Sequence, residues 1–320
     1  MDLVVNELAF EHLCDSEFEA EKRMATFIAT IRSLTALGFA RQLWVTREFL
    51  AIELLNDYPI TRWLNNTTIP VAERMFVKTI LSKGPFLEDT IEEHVLKRKG
   101  VFDFEHERKS AKGLGLAWLV DGPAVSVEHA PPFEKDPVTI QVASHANESE
   151  AEDFDIENYE VCCLTFTAQV EERKTWLKER VAKSKLCSSG AELIASKDEL
   201  FPNLIFCDST IKQIRKLTGS EPWFLNLLDH CRALNEKAGS WVDGDFDLGE
   251  IDWSDESSQT LKSAKLKKMR TFKCPDGDYR LMSRHTKIKF ANIRIHFLPV
   301  KSSKTCYVGY IGIHLEVFSD

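Results

Sequence analysis

The sequence predicts an α+β protein, in which a mixed N-terminal α+β lobe precedes a small basic module made of a helix and an antiparallel sheet. Three observations support this fold class. Helical and strand patterns are mixed along the chain, the charge changes sign near Leu261, and period-two alternation dominates the residues that follow. The chain has 320 residues, about twice the usual length of one domain, so two domains are expected from length alone, with one large mixed domain as the alternative.

Three regions are expected along the chain. An α+β lobe covers residues 1–146, a strand followed by helices covers residues 147–240 and packs on that lobe, and an acidic linker with the basic module covers residues 241–320. The last boundary rests on a change of composition between Trp241 and Ser258, a stretch rich in Asp and Gly. Shifts of this kind are typical of the segments between domains.

Two segments of the N-terminal lobe carry clear local signals. The residues from Glu17 to Leu37 predict a helix, with Asp15 or Ser16 as its N-cap and Gly38 at its end. The apolar face of that helix consists of Met24, Phe27, Ile28, Ile31 and Leu34. The apolar run GLGLAWLV, which begins at Gly113, predicts a strand with a tight turn at its start.

Composition predicts a cytoplasmic protein without a membrane partner. No apolar run reaches the roughly 20 residues of a membrane-spanning helix, and Met1 is not followed by the basic and apolar segments of a signal peptide. The eight cysteines form no C-x-x-C pair, so we expect reduced thiols. P-loop, G-x-S-x-G and H-E-x-x-H motifs are absent, which gives no support to a P-loop nucleotide site, an α/β-hydrolase or a zinc protease.

The charge of the chain is strongly segregated. Between Leu261 and Lys304, thirteen Lys and Arg face only Asp276 and Asp278, so this segment carries plus eleven although the whole chain carries −9. An acidic protein with one basic face is expected to bind nucleic acid through that face, by displacing counterions from the phosphates. The residues expected to contact nucleic acid are Lys267, Lys268, Arg270, Arg284 and Lys289.

The basic module is expected to contain one helix and three strands. Residues 257–272 predict a helix with exposed lysines, and the strands follow after the turn at Pro275, over residues 292–300 and over residues 305–318. Because side chains alternate along a strand, polar and apolar residues separate onto two faces. The polar face, expected to meet water, consists of His285, Lys287, Lys289, Asn292, Arg294 and His296, joined by Tyr310 if the register permits.

The polar face carries the groups that a metal-independent ribonuclease needs. One group must take the proton of the 2′-hydroxyl, one must protonate the leaving 5′-oxygen, and a cation must stabilise the charge that grows on the phosphate. The candidate catalytic residues are therefore His285, His296, Lys287, Arg294 and Tyr310, and no cofactor is expected.

Residues 260–320 resemble a known group of ribonucleases. A basic helix followed by RHTK, RIHF and YVGYIG is similar to the small RelE-type toxins and to the wider barnase, EndoU, colicin and RelE superfamily. The resemblance implies that the two histidines are general base and general acid, that Lys287 and Arg294 bind the phosphate, and that Tyr310 orients the substrate. Residues 1–240 have no counterpart in such toxins, which suggests a regulatory or docking lobe, a protein partner, and an effector of a prokaryotic phage-defence system.

Two other interpretations stay open. A metal-dependent nuclease would hold Mg²⁺ through Asp252, Asp255 and Glu256 and would use Lys287 to stabilise the attacking water. A non-catalytic subunit of a protein complex would use the basic face only to dock nucleic acid or protein. Exposed faces of antiparallel sheets commonly carry Arg, Lys and His because they meet water. The sequence carries no signal for any particular oligomeric state.

Overall fold

The computed structural model of the protein describes residues 1, 3–82, 84–94, 101–145, 154–249 and 251–318. The chain folds into two units, the first of which comprises Met1–Lys97, Val101–Ser144 and Phe154–Lys185, while the second contains Leu186–Asp320. Each unit contains helices and strands, which confirms the predicted α+β class. The predicted boundary after residue 146 lies outside the described residues.

The first unit is built around a parallel sheet. Its strands are β1 (Leu3–Val5), β2 (Leu43–Trp44), β3 (Glu53–Leu55), β4 (Tyr58–Pro59), β5 (Val101–His106), β6 (Lys109–Ser110), β7 (Ala124–Val125), β8 (Val138–His145), β9 (Phe154–Val161) and β10 (Cys163–Leu164). Its helices are α1 (Glu17–Leu37), α2 (Ile60–Asn65), α3 (Val71–Leu81), α4 (Leu87–His94), α5 (Lys112–Leu119), α6 (Thr167–Glu172) and α7 (Lys174–Leu186). The parallel sheet has the order β10, β7, β1, β2, and a second sheet has the order β6, β5, β8, β9.

Helix α1 confirms the prediction for this segment. It has the predicted bounds, and the hydroxyl of Ser16 caps it by accepting a hydrogen bond from the Glu19 N–H. Gly38 ends the helix with a φ of 109°, a left-handed conformation that glycine adopts at little cost. The predicted apolar face of α1 is buried in full, so this helix supplies one wall of the core of the unit.

The segment GLGLAWLV is a helix and not the predicted strand. It forms most of α5, which packs on β1 and β5. A Cβ atom on Gly113 would lie 2.0 Å from the carbonyl oxygen of Val5, and one on Gly115 would lie 2.1 Å from the ring of Phe104. The glycines therefore permit close packing on both sides. A helix buried on nearly all sides has no polar face, so periodicity cannot distinguish it from a buried strand.

The second unit contains a five-stranded mixed sheet. Its strands are β11 (Leu204–Phe206), β12 (Trp253–Asp255), β13 (Thr271–Lys273), β14 (Tyr279–Leu281), β15 (Arg284–Ile288), β16 (Ile293–Val300) and β17 (Thr305–Ile313). Its helices are α8 (Gly190–Leu200), α9 (Asp208–Ile214), α10 (Phe224–Ser240), α11 (Ser258–Lys262) and α12 (Ala264–Met269). The sheet has the order β11, β17, β16, β15, β12; β11 is parallel to β17, and the other pairs are antiparallel. Strands β13 and β14 form a separate hairpin.

The predicted boundary after residue 240 falls inside the second unit. Strand β11 pairs with β17, with Leu204 opposite Cys306, and helix α10 packs on β17. The composition changes near Trp241, but the preceding helical segment supplies both an edge strand and a helix to the C-terminal sheet. The residues that follow α7 therefore fold together with the basic segment.

The basic helix and the acidic linker also differ from their predictions. The helix is divided into α11 and α12 at Ser263, whose side chain accepts a hydrogen bond from the Leu266 N–H and caps α12. Part of the linker is the edge strand β12, which pairs with β15. Ion pairs tie the linker to the basic segment, Asp252 to Lys289 at 3.0 Å and Asp255 to Arg284 at 3.4 Å.

Replacing Gly113 with Ala should destabilise the protein by about 1–3 kcal/mol, the usual cost of forcing an extra methyl group into a packed core. The new methyl group would meet the main-chain oxygen of Val5, which belongs to a central strand and cannot move aside cheaply. Gly122→Ala is the matched control, since its Cβ would contact only the ends of the Met1 and Val120 side chains at 3.3 Å. Urea denaturation compares the two variants, and equal midpoints would contradict the close packing of α5 on β1.

Candidate functional site

The register of the second unit's sheet brings the predicted catalytic residues side by side. His285 pairs with His296 and Lys287 with Arg294 between β15 and β16, and His296 pairs with Tyr310 between β16 and β17. Residues directly opposite each other in antiparallel strands share a face. The prediction that these five residues lie on one side of the sheet is therefore confirmed, including the register that brings Tyr310 to the same side.

This face of the sheet is covered by the β13–β14 hairpin and does not meet water as expected. The ring of Phe272 lies 6.2 Å from that of His296, and the carbonyl of Met282 accepts a hydrogen bond from His296 Nδ1 at 3.0 Å. His285 and His296 are 3% and 0% exposed, and Arg294 is 7% exposed. The expectation of a water-facing surface is wrong for these three residues. For His296 the cause is that the chain between α12 and β15 folds back over the sheet.

A buried ion pair joins α12 to the edge strand β12. Arg270 Nε lies 2.7 Å from Glu256 Oε1, and the two side chains are 0% and 2% exposed. Arg270 directly follows α12 and donates from Nη1 to the Leu266 carbonyl at 3.2 Å, while Glu256 directly follows β12. Buried charges are tolerated only with compensating partners. The pair therefore fixes the end of α12 against the edge of the sheet.

Glu256 is ionised at neutral pH. Burial raises its pKa, but contacts with His285 and Arg270 outweigh burial and bring the pKa down from 4.5 to about 2. His285 Nδ1 lies 3.4 Å, and His296 Nε2 4.0 Å, from the same oxygen, Oε1. One carboxylate oxygen therefore faces two imidazoles and a guanidinium.

The two imidazoles differ in their surroundings. Burial is the main cause that lowers the pKa of His296 to about 3, and the neighbouring His285 lowers it further. A carbonyl only accepts hydrogen bonds, so the contact with Met282 places the proton of His296 on Nδ1 and its lone pair on Nε2. His285 instead places Nε2 at 3.2 Å from the hydroxyl of Ser254 and Nδ1 toward Glu256.

Buried polar atoms converge here without regular hydrogen bonds to any described part of the chain. They are Glu256 Oε1, Arg270 Nε, Arg270 Nη2, His285 Nδ1 and His296 Nε2. The contact between Arg270 Nε and Glu256 Oε1 is short, but the N–H is not directed at the oxygen well enough for a hydrogen bond. Buried polar groups of native proteins are nearly always paired. This concentration of unsatisfied atoms marks a place where a ligand can bind.

Half-buried side chains separate these atoms from solvent. The side chains are those of Ser254, Phe272, Tyr310 and His314. The ring of Tyr310 lies 5.8 Å from that of His296, and the ring of His314 lies 6.0 Å from that of His285. The Tyr310 hydroxyl donates to the Ile313 carbonyl at 2.7 Å. The site thus lies beneath a layer of partly exposed side chains.

The predicted nucleic-acid-binding residues fall into three groups. Lys267 and Lys268 are exposed on α12 and form no ion pair with the described residues. Arg284 and Lys289 are each paired with an aspartate that flanks or ends β12. Arg270, expected on the same exposed face, is fully buried because it compensates the buried carboxylate. Within this set, the exposed lysines that form no ion pair with the described residues are therefore the two on α12.

Lys287 and Arg294 form the next cross-strand pair along β15 and β16. Lys287 is half-buried, and Arg294 is buried. This pair lies two residues along the strands from the pair of histidines. The guanidinium that contacts the carboxylate of Glu256 belongs to Arg270 and not to Arg294. The structure thus places Arg270, and not the predicted Arg294, beside Glu256 and the two histidines.

The predicted magnesium ligands do not come together. Among the described residues, the group that could hold a metal is formed by Glu256, His285 and His296, whose ligand atoms lie within 4.8 Å of one another. Asp252 and Asp255 are instead engaged in ion pairs with basic side chains. A set of two imidazoles and one carboxylate differs from the oxygen environment that magnesium prefers.

Sequence reasoning missed Ser254 and the contact of Glu256 with the histidines. The two residues are two positions apart in WSDE, so alternation in a strand places them on the same side and could have grouped them. No sequence signal indicates that Arg270 is buried or that the Met282 carbonyl fixes the ring of His296. Both features depend on how the β13–β14 hairpin folds over the sheet.

Replacing Glu256 with Gln should destabilise the protein by about 3–5 kcal/mol, because it leaves Arg270 as an unpaired buried charge. Glu316→Gln is the matched control: it removes the partner of Lys265 at the surface, where water screens the pair, and should leave stability unchanged. Urea denaturation measures both variants. Equal urea midpoints of Glu256→Gln and Glu316→Gln would contradict a structural role for the buried pair.

Stability should fall as the pH is lowered from 6.5 to 3. The pKa of His296 is lowered from 6.5 to about 3, and that of Glu256 from 4.5 to about 2. When folding lowers a pKa, the unfolded chain binds more protons in the acid range, so protons favour unfolding. Urea midpoints across this range measure the effect. A midpoint that stays constant or rises on acidification would contradict the buried neutral state of His296.

The function of this chain has to be assigned from its own side chains. The chain matches no protein-family model, no curated protein and no solved structure. No helix among the described residues is long and apolar enough to cross a membrane. The cluster beneath the β13–β14 hairpin is therefore the feature that carries a functional assignment.

Proposed function

We propose that the second unit is a metal-independent endoribonuclease. Its acid–base cluster consists of Glu256, Arg270, His285, His296 and Tyr310. The observation that carries the proposal is that two imidazoles and a guanidinium lie within 4.0 Å of one carboxylate oxygen. Attack of a 2′-hydroxyl on its own phosphodiester needs a base, an acid and a cation that stabilises the phosphate. The acid–base cluster contains all three.

His296 is the proposed general base. Its ring is neutral, its lone pair is on Nε2, and no described donor occupies that nitrogen. A phosphate bound beside it adds negative charge, which raises the pKa of His296 from its low value toward the range needed for proton transfer. Nε2 then takes the proton of the 2′-hydroxyl, and the 2′-oxygen attacks phosphorus to form a 2′,3′-cyclic phosphate.

His285 is the proposed general acid. Its Nδ1 faces the carboxylate of Glu256 at 3.4 Å, and its Nε2 lies 3.2 Å from the hydroxyl of Ser254, on the half-buried side of the site. A carboxylate partner orients an imidazole. His285 donates its Nε2 proton to the 5′-oxygen as the bond between phosphorus and this oxygen breaks.

Arg270 supplies the charge that the phosphate needs. Its Nε and Nη2 atoms lie in the cluster without regular hydrogen bonds to described residues, and phosphate oxygens are suitable acceptors for both. Lys267 and Lys268 are exposed on the helix that ends at this arginine, so they can contact neighbouring phosphates of an RNA strand. Contacts of this kind hold the backbone and read no base sequence.

The proposal is tested by incubating the full chain with a single-stranded RNA, and with DNA of the same sequence, in excess EDTA. RNA should be cut to products with 2′,3′-cyclic phosphate ends, because neither a metal nor water takes part in the transesterification. DNA should stay intact, since it lacks the 2′-hydroxyl. Cleavage that requires a metal and extends to DNA would contradict the proposal. No cleavage of either polymer would contradict it as well and would favour a binding module.

His296→Asn should lower kcat by about 10²–10⁴-fold, the usual contribution of a general base. His230→Asn is the matched control. His230 is buried on the opposite side of β15, where its Nδ1 contacts the hydroxyl of Thr286 at 2.8 Å, so its loss removes a similar imidazole without touching the acid–base cluster. Melting temperatures of both variants separate loss of folding from loss of chemistry. Equal loss of cleavage in two folded variants would contradict the role of His296 as base.

A further inference from the structure

The acid–base cluster also has the donor atoms of a metal site. Glu256 Oε1, His285 Nδ1 and His296 Nε2 belong to buried residues, and the three atoms lie within 4.8 Å of one another. We propose that these atoms bind one divalent transition-metal ion of the zinc class, and that the bound ion reversibly blocks the acid–base chemistry. The block rests on the proposed function, whereas binding of the ion does not.

The spacing of the donor atoms is close to that imposed by a single ion. Oε1 of Glu256 lies 3.4 Å from His285 Nδ1 and 4.0 Å from His296 Nε2. Metal–ligand bonds of about 2.1 Å at the tetrahedral angle place neighbouring donors about 3.4 Å apart. Side-chain movements of about 1 Å would bring all three atoms to bonding distance.

The outer contacts of the two imidazoles are those that metal-binding histidines make. His296 donates its Nδ1 proton to the Met282 carbonyl, and His285 places Nε2 against the hydroxyl of Ser254. Contacts on the outer nitrogen fix the ring and leave the lone pair of the inner nitrogen available for a metal. In this cluster the inner nitrogens are the two that face Glu256 and have no regular hydrogen bond to a described residue.

The donor set selects the class of metal. Two imidazole nitrogens and one carboxylate oxygen suit Zn²⁺, Co²⁺, Ni²⁺ and Cu²⁺, whereas Mg²⁺ and Ca²⁺ favour oxygen ligands alone. Zn²⁺ held by three protein ligands keeps a fourth coordination position open. A transition-metal ion is therefore the expected occupant, and the magnesium site predicted from Asp252, Asp255 and Glu256 is not.

Arg270 determines what completes the coordination. Its guanidinium balances the charge of Glu256, so a divalent ion on two neutral imidazoles leaves the site with two positive charges. A site of that charge attracts an anion such as hydroxide or inorganic phosphate. Arg270 Nη2, which makes no regular hydrogen bond to a described residue, can donate to that anion. The anion would occupy the fourth position on the metal.

A bound ion would stop proton transfer in the acid–base cluster. It uses the lone pair on His296 Nε2, which is the atom that accepts the proton of the 2′-hydroxyl. It also binds His285 Nδ1 and the carboxylate of Glu256. His285, the proposed general acid, then no longer has Glu256 as its partner. The cluster can carry a metal or move protons, but not both at once, and a chelator should restore the proton-transfer form.

Binding is measured first, because it does not depend on activity. The full chain is stripped of metal under reducing conditions and titrated with Co²⁺, then with Zn²⁺, and separately with Mg²⁺. One equivalent of Co²⁺ should give visible absorption bands, Zn²⁺ should abolish them by displacement, and Mg²⁺ should have no effect. His285→Gln should weaken Zn²⁺ binding at least about 10-fold, and Ser254→Ala should weaken it about 10-fold through the orientation of the ring. Circular dichroism checks that both variants are folded.

His230→Gln is the matched control and should bind Zn²⁺ like the parent, since His230 lies on the other side of β15. Ions held by cysteines elsewhere would be unaffected by His285→Gln. Equal Zn²⁺ affinity of the parent and His285→Gln would overturn the site, and so would equal loss in His230→Gln.

The cleavage assay then tests the block. One equivalent of Zn²⁺ should suppress RNA cleavage, and EDTA should restore it. Zn²⁺ binding to a chain that never cuts RNA in metal-free form would support the metal site and contradict the proposed function. Zn²⁺ binding with undiminished cleavage would overturn the block.

Discussion

The second unit depends on how it accommodates the buried charges of Glu256 and Arg270. Taking a carboxylate and a guanidinium out of water costs several kcal/mol per ion, and that cost is offset only while the two groups stay in contact at 2.7 Å. The pair joins α12 to β12, and the histidines of β15 and β16 connect the same carboxylate oxygen to the centre of the sheet. The contact that fixes the edge of the fold also holds the carboxylate where both imidazoles can use it. The fold of this unit and the arrangement of the two imidazoles around Glu256 therefore depend on one interaction.

The segregation of charge in the sequence has a counterpart in the fold. A segment of 44 residues that carries plus eleven would repel itself if it folded alone. The acidic stretch before it supplies partners, in the pairs Asp243–Lys301, Asp252–Lys289 and Asp255–Arg284 and in the buried carboxylate of Glu256. This stretch is thus the complementary part of the same unit and not a linker between domains. Lys267 and Lys268 of α12 remain exposed and form no ion pair with the described residues.

The sequence was informative where a local pattern decides the structure. The cap, the apolar face and the glycine of α1 are local signals, and alternation in β15 and β16 correctly placed the two histidines on the same face of the sheet. Alternation shows which residues share a face, but not which face another segment covers, so the burial of His296 under the β13–β14 hairpin could not be predicted. The helix α5 was misjudged for a related reason: its glycines pack against strands that are distant in sequence, and no polar face reveals its period. The ion pair of Glu256 likewise depends on tertiary packing alone.

The histidines on the two sides of β15 differ in how their nitrogen atoms are satisfied. His230 lies on one side of this strand, and its Nδ1 contacts the hydroxyl of Thr286 at 2.8 Å. Such a hydrogen bond is typical of a buried polar side chain in a protein core. On the other side, the lone pair of His296 faces a carboxylate oxygen at 4.0 Å, so two acceptors meet without a donor between them. A closer approach of the two side chains cannot satisfy either atom, because neither has a proton to give. A proton, a hydroxyl group or a metal ion can supply what is missing, which is why the function and the metal site proposed above are both placed on this side of the strand.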